Sequence, residues 1–257
     1  MLVAKANIRQ AIKRVYYFGF KYHCEICGAN TRFRHTYSFD HAILRELDVV
    51  GGEYVENDDC PICFANARIR LVYKYITKMG TGLRGHRVLH VATERALYSK
   101  LFSNKECEYT PIDFAPDRYN YIPGVQFGDI SNLQFDDGSF DLILCNHVLE
   151  HVPEDAAAMR ELYRVLAPGG RAVLQVPLSY NLTHTVEDPY ITDPTEMERR
   201  FGQFDHVRIY GRDYFDRLRS AGFVVEQIPS AELATPAEMA AGVVNGRENL
   251  TVAHKAG

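Results

Sequence analysis

Four cysteines stand in two C-x-x-C pairs, Cys24/Cys27 and Cys60/Cys63, and these are the side chains that come nearest to dictating their ligand. A thiolate is soft, and two intervening residues let both sulfurs of a pair reach one tetrahedral ion at about 2.3 Å. A single pair could be a redox motif or two unrelated buried thiols; two pairs point to a metal, and the metal is zinc. With four thiolates no coordination position stays open, so that Zn2+ is expected to be structural rather than catalytic. The residues between the pairs, 28–59, exceed the commonest ribbon spacing and must carry structure of their own.

The elements that hold these pairs can be read from periodicity. Residues 4–20 place Ile8, Ile12, Val15 and Phe18 at helical spacing, an amphipathic helix leading into the first pair. Ala65 to Met79 repeats the pattern with Ile69, Leu71, Val72, Tyr75 and Ile76, until Gly80, Gly82 and Gly85 break it. A boundary there divides the chain into a front module, residues 1–80, and a larger domain, residues 81–257.

Beyond Arg87 strands and helices alternate. Strands are expected over 88–92, 108–113, 124–129, 140–145, 171–176, 223–228 and 249–253; helices over 94–102, 153–166 and 214–221. Such alternation calls for an α/β fold with a mostly parallel, doubly wound, Rossmann-like sheet covered by helices on both faces. Ligands of these sheets sit outside the carboxyl ends of the strands, so the residues there matter most.

The chain has 257 residues, 46% apolar and 24% charged, the composition of a globular protein. A net charge of −4 sets up no global field for nucleic acid or an anionic membrane, although basic residues cluster in the N-terminal third. Without exposed aromatics among them, solvated helix faces are the expected reading of that cluster. No segment has the length and hydropathy of a membrane span, and no signal-peptide apolar region opens the chain; with metal-type cysteine spacing, this gives a cytoplasmic expectation.

The run Phe135-Asp-Asp-Gly-Ser-Phe-Asp-Leu-Ile-Leu-Cys-Asn-His-Val-Leu-Glu-His-Val-Pro153, continued by Arg164-Val-Leu-Ala-Pro-Gly-Gly-Arg171, resembles the class I S-adenosylmethionine-dependent methyltransferases of type 11. The resemblance covers residues 85–228. The stretch from Phe201 to Tyr214 and the Cys-Pro-x-Cys pair resemble a bacterial subgroup with a zinc-binding front end. The resemblance implies S-adenosyl-L-methionine as cofactor. It places Asp113 at the ribose hydroxyls, Asp129 at the adenine amine, Ile130 against the ring, and Asn146 and His147 near the methionine and its methyl group. The family's first motif wants an acidic residue followed by a glycine-rich turn; here His90-Val-Ala92-Thr-Glu94 stands in its place. Ala92 at negative φ would still let the backbone approach the cofactor, and Glu94 could replace the missing acid at the methionine ammonium.

An acceptor hydroxyl or acidic carbon also needs a base, and His147 and His206 are the candidates; His151 reads as a packing residue at a helix start. The long segment from Ser179 to Asp205, rich in charged residues, is expected to cap the acceptor site. A small-molecule acceptor such as a sugar or glycan precursor fits the acidic charge and polar lid. An RNA methyltransferase gripping RNA with its zinc module and a non-catalytic protein with a degenerate cofactor fold are the alternatives.

Overall fold

A computed structural model describes residues 2–36, 40–79 and 82–257. The front of the chain forms α1 (Leu2–Tyr17), β1 (Phe18–His23), β2 (Asn30–Thr31), α2 (Ala42–Glu46), β3 (Val49–Val50) and α3 (Ala67–Lys78). The helix expected to run to residue 20 gives way to β1 at Phe18, an aromatic segment that prefers an extended backbone. Gly80 and Thr81, where the sequence ends the module, lie outside the described residues.

The larger part follows as β4 (Arg87–Val91), α4 (Arg95–Leu97, continued by a π-helical turn over Tyr98–Phe102), β5 (Glu108–Asp113), β6 (Gln126–Phe127), β7 (Phe140–Asn146), α5 (Asp155–Val165) and β8 (Leu166–Gln175). Then come β9 (Leu178–Ser179), β10 (Val186–Glu187), α6 (Pro194–Phe201), β11 (Arg208–Ile209), α7 (Tyr214–Ser220), β12 (Val224–Ile228), α8 (Ser230–Leu233), α9 (Pro236–Ala240) and β13 (Leu250–His254). Seven strands make one sheet in the order β12-β13-β8-β7-β4-β5-β6. β13 runs antiparallel to both neighbours while β4 to β8 are mutually parallel, as expected for this fold class. The order reverses between β4 and β7, and the crevice at that switch point is where such sheets bind ligands.

Two corrections concern strand extent. The third predicted strand shrinks to the edge pair Gln126–Phe127. The fifth, expected from residue 171, begins at Leu166 and takes in the Pro168-Gly169-Gly170 turn, since α5 ends at Val165.

β7 is buried along nearly its whole length, as a central parallel strand sandwiched by two layers must be. On one sheet face, Leu89, Ile143 and Leu174 pack with Met159 and Leu162 of α5 and Leu218 of α7. On the other, Val88, Leu142, Leu144 and Val252 join Leu71, Val72 and Ile76 of α3 and, in the same cluster, Cys24, Ile26, Cys60 and Ile62. The cysteine pairs are thus built into the core that supports the sheet. Arg70, 1% exposed, ties them further: its guanidinium donates to the Ala65 carbonyl at 2.7 Å, to Asp58 at 2.6 Å, and to the carbonyls of Gly242 and Val243. No helix among the described residues is long and apolar enough to cross a membrane.

Candidate functional site

The two cysteine pairs fold into the same turn twice. Gly28 N donates to the Cys24 carbonyl at 2.8 Å and Cys24 N to that of Ala29; Phe64 N donates to the Cys60 carbonyl at 2.8 Å and Cys60 N to that of Ala65. Both turns need a left-handed residue in one place. Gly28 (φ 67°) fills it without cost in the first, Phe64 (φ 65°) with strain in the second. The four Sγ atoms lie within 4.8 Å of one another, with Cys24 to Cys63 at 3.6 Å and Cys27 to Cys60 at 3.7 Å. A tetrahedron with metal–sulfur bonds of about 2.3 Å has edges of about 3.8 Å, so these separations fit one ion.

At the sheet's carboxyl edge, the turn after β4 bends through Ala92 at φ 50°, not the negative φ expected. A left-handed alanine costs roughly 1–2 kcal/mol, and the Ala92 N–H bond to the Ile112 carbonyl at 3.0 Å helps hold it. The glycine function is therefore performed by a strained alanine. His90 is wholly buried: Nε2 pairs with Glu94, and Nδ1 lies 3.0 Å from the Tyr109 hydroxyl. It has no open face, and serves to fix Glu94. The other oxygen of Glu94 accepts from Asn146 Nδ2 at 3.0 Å, bridging the ends of β4 and β7. Burial pushes the Glu94 carboxyl up, but His90 and Asn146 outweigh it and hold it below the ordinary range.

Asp113 ends β5 and accepts from Ala115 N at 2.7 Å and the Tyr119 hydroxyl at 2.9 Å, which leaves acceptor capacity on an ionised carboxylate. Asp129 accepts from Ser131 N at 2.8 Å, and Ile130 is buried behind it in the core.

Asn146 and His147 diverge. Asn146 turns to Glu94, whereas His147, at φ 53°, turns into a cavity of about 320 Å3. Residues 51–53, the start of α3 at 66–68, the segment 147–151, the lid residues Gly202, Gln203 and His206, and Asn245 and Glu248 line it. The expected cap therefore supplies only part of the roof. The lid's charged residues pair with structural partners instead: Glu187 with Arg208 and Arg217, Asp188 with Arg200, Arg199 with Glu196.

Polar atoms inside this cavity lack partners among the described residues: Arg68 Nε, His147 Nε2 and both oxygens of Glu150, with Asn146 Oδ1 behind them. Glu150 Oε1 is 3.3 Å from His147 Nδ1, near enough to pair but misaligned for a hydrogen bond. Burial drives the His147 imidazole down to about 4 and thus neutral. Burial would raise Glu150, but the facing imidazoles, His147 first, hold it down at about 2. His151 is the cation of the group: burial lowers it, Asp205 and Glu150 raise it more, and it is pushed up to about 9. Burial lowers His206 and lifts Glu248 to about 7.

Sequence reading missed Arg68, Glu150 and Glu248. Glu150 stood inside the resembling run; Arg68 and Glu248 carried no local signal.

Residues 89–174 match a family model described as a methyltransferase domain. An uncharacterized 37.1 kDa protein in transposon TN4556 of Streptomyces fradiae is 33% identical over 57% of this chain and 43% of its own length. A ubiquinone biosynthesis O-methyltransferase of Xanthomonas oryzae pv. oryzae is 33% identical over 36% of this chain and 43% of its own. The chain thus spans less than half the length of these curated relatives. Among solved structures, the complex of the Haloferax volcanii Trm112 methyltransferase activator with a methyltransferase superposes with a TM-score of 0.50 at 20% identity, covering 74% of this chain and 91% of that one. The match lies on the strands whose ends build the Glu94–Asn146 bridge and the His147 cavity, so this part of the chain is similar to methyltransferase domains.

Proposed function

We propose that the protein transfers a methyl group from S-adenosylmethionine to a small, oxygen-bearing acceptor held in the His147 cavity. One observation carries the reading: consecutive residues Asn146 and His147 serve opposite compartments, the first joined to Glu94 at the cofactor strand ends, the second facing the acceptor cavity. About 320 Å3 is the size of a small-molecule site. A sugar or glycan precursor fits its polar lining, and the ubiquinone-pathway relative acts on a small molecule in name.

Asp113 would accept the ribose hydroxyls, Asp129 and Ile130 would flank the adenine, and Glu94 would hold the ammonium, with Ala92 giving the backbone its close approach. The orphaned Asn146 Oδ1 is a buried acceptor awaiting a donor, which such a ligand would bring. When bound, the cofactor supplies an electrophilic methyl whose bond to sulfur breaks as the bond to the acceptor forms. With its Nδ1 proton turned towards Glu150, His147 offers the Nε2 lone pair to the cavity and takes the acceptor's proton there. Glu150, 3.3 Å from Nδ1, balances the imidazolium. Arg68 would orient an anionic edge of either ligand. The four cysteines would hold a structural zinc.

Calorimetric titration with S-adenosylmethionine tests the reading: micromolar binding is expected, and none at high micromolar concentration would leave a non-catalytic protein. A second reading has one observation behind it. Contrary to expectation, aromatics do interleave with the front basic residues: Phe18 and Phe20 pack together in the open, Phe20 86% exposed, and Arg32 lies over Tyr16. Bases stack on such surfaces, so salt-dependent binding of single-stranded RNA would move the acceptor to RNA.

A further inference from the structure

The cavity wall holds a cluster two of whose members, His151 and His206, methyl transfer by His147 does not require. Glu150, His151 and His206 each bring one ligand atom to within 4.8 Å of the others. The His151 and His206 rings meet edge to face with centroids 4.6 Å apart. Glu150 is 1% exposed, and neither of its oxygens accepts a hydrogen bond from a described residue. A buried carboxylate without donors costs several kcal/mol unless a cation compensates it.

The imidazoles are braced from behind. His151 Nδ1 lies 3.1 Å from the Asp205 carbonyl, and since a carbonyl only accepts, Nδ1 carries a proton, so an ion would take the place of the second proton, on Nε2. His206 is 8% exposed, its ring held edge to face against that of His151. A histidine whose second nitrogen donates to a carbonyl is oriented as metal-ligating histidines are.

We propose that Glu150, His151 and His206 form a second metal site, for a divalent transition-metal ion, distinct from the four cysteines. Two imidazoles and one carboxylate suit zinc, iron, cobalt or nickel better than magnesium or calcium. Three protein ligands leave coordination positions open, and the open side is the cavity. An acceptor oxygen would complete the shell there, and a coordinated hydroxyl gives up its proton far more readily than a free one. That role rests on the proposed methyl transfer; the site itself does not. His206 arrives from the lid, so the ion would also join the lid to the end of β7.

The test is a Co2+ titration of the full chain already loaded with one equivalent of zinc at the cysteines. One further Co2+ should bind, with visible ligand-field bands and no sulfur-to-cobalt charge transfer in the near ultraviolet. Glu150→Gln and His206→Ala should each abolish that equivalent while leaving the zinc and the melting cooperativity in place. No second equivalent in the wild-type chain, a second equivalent with thiolate bands, or its survival in both variants would overturn the proposal. The wild-type spectrum decides even if a variant fails to fold. Uptake is read without turnover, so a chain that binds Co2+ but transfers no methyl would refute the methyl-transfer reading alone.

Discussion

Asp113 has one task in the fold and a second one proposed, and the two can be separated. It already anchors its own loop through Ala115 N and Tyr119, and as a cofactor ligand it would accept two ribose hydroxyls as well. Hydrogen bonds to a charged acceptor contribute roughly 1.5–3 kcal/mol each, so Asp113→Ala should weaken S-adenosylmethionine binding by at least about tenfold. Unchanged affinity in a calorimetric titration would move the ribose elsewhere. His147 makes the complementary case. As general base it should leave cofactor affinity alone and control turnover, so His147→Asn is expected to lower kcat by about 10²–10⁴-fold with an unaltered Kd for the cofactor. Asparagine is the choice because it tolerates the φ of 53° that position 147 adopts. Equal losses in Kd and kcat would mean that His147 is part of the cofactor wall. The strain at Ala92 shows the limit of residue-level reading: the missing glycine was plain in the sequence, but the positive φ follows from where β5 places the Ile112 carbonyl.

At the scale of elements, β11 fixes the segment that carries Glu150 and His151. Arg208, 1% exposed, donates to the carbonyls of Leu149 (2.8 Å), Val152 and Pro153 (2.9 Å) and to Glu187 (2.9 Å), while Val207 N holds the Glu150 carbonyl at 3.0 Å. Arg208→Met keeps the volume but strands the Val152 and Pro153 carbonyls and leaves Glu187 to Arg217 alone, a loss of about 3–5 kcal/mol measurable by chemical denaturation. A change under 1 kcal/mol, by the same surface-pair scale, would mean that water replaces the guanidinium. The same network gives a pH signature. Burial raises Glu187, but Arg217 and then Arg208 outweigh it, so its folded pKa lies below the unfolded value of about 4.3. Its contribution is complete above that value and is lost as pH falls through the depressed one; Glu187→Gln should flatten stability against pH in that acidic window. The lid also depends on a close approach: at Gly202 (φ 80°) a Cβ would sit 2.6 Å from the Leu44 side chain. Most strands were legible because β4, β5 and β7 are short apolar runs between turn residues. β6 was overdrawn, since two edge residues are all that pair there.

The whole molecule is where sequence patterns stop informing. Cys-x-x-Cys spacing exposed the four-cysteine cluster because its geometry is local to each turn. The cavity, by contrast, gathers residues near 52, 68, 150, 206 and 248, and no window of sequence holds more than a fragment of it. Nor did the front of the chain announce how far it enters the rest. The same apolar cluster contains Cys24, Cys60, Leu142 and Val252, and Arg70 reaches across to Gly242 and Val243. From this follows an expectation about cooperativity. In a front module with its own core, loss of zinc would melt that module alone and leave the sheet intact. Here Cys24 and Cys60 share one apolar cluster with α3 and the sheet, so Cys60→Ser, or removal of a bound zinc by a chelator, should lower the stability of the entire chain in one transition. Losing a structural metal belongs to the severe class of changes, more than about 4 kcal/mol. Calorimetric melting with and without chelator reads this, and two separate transitions, with the later one at the wild-type temperature, would show that the shared cluster does not couple the two parts.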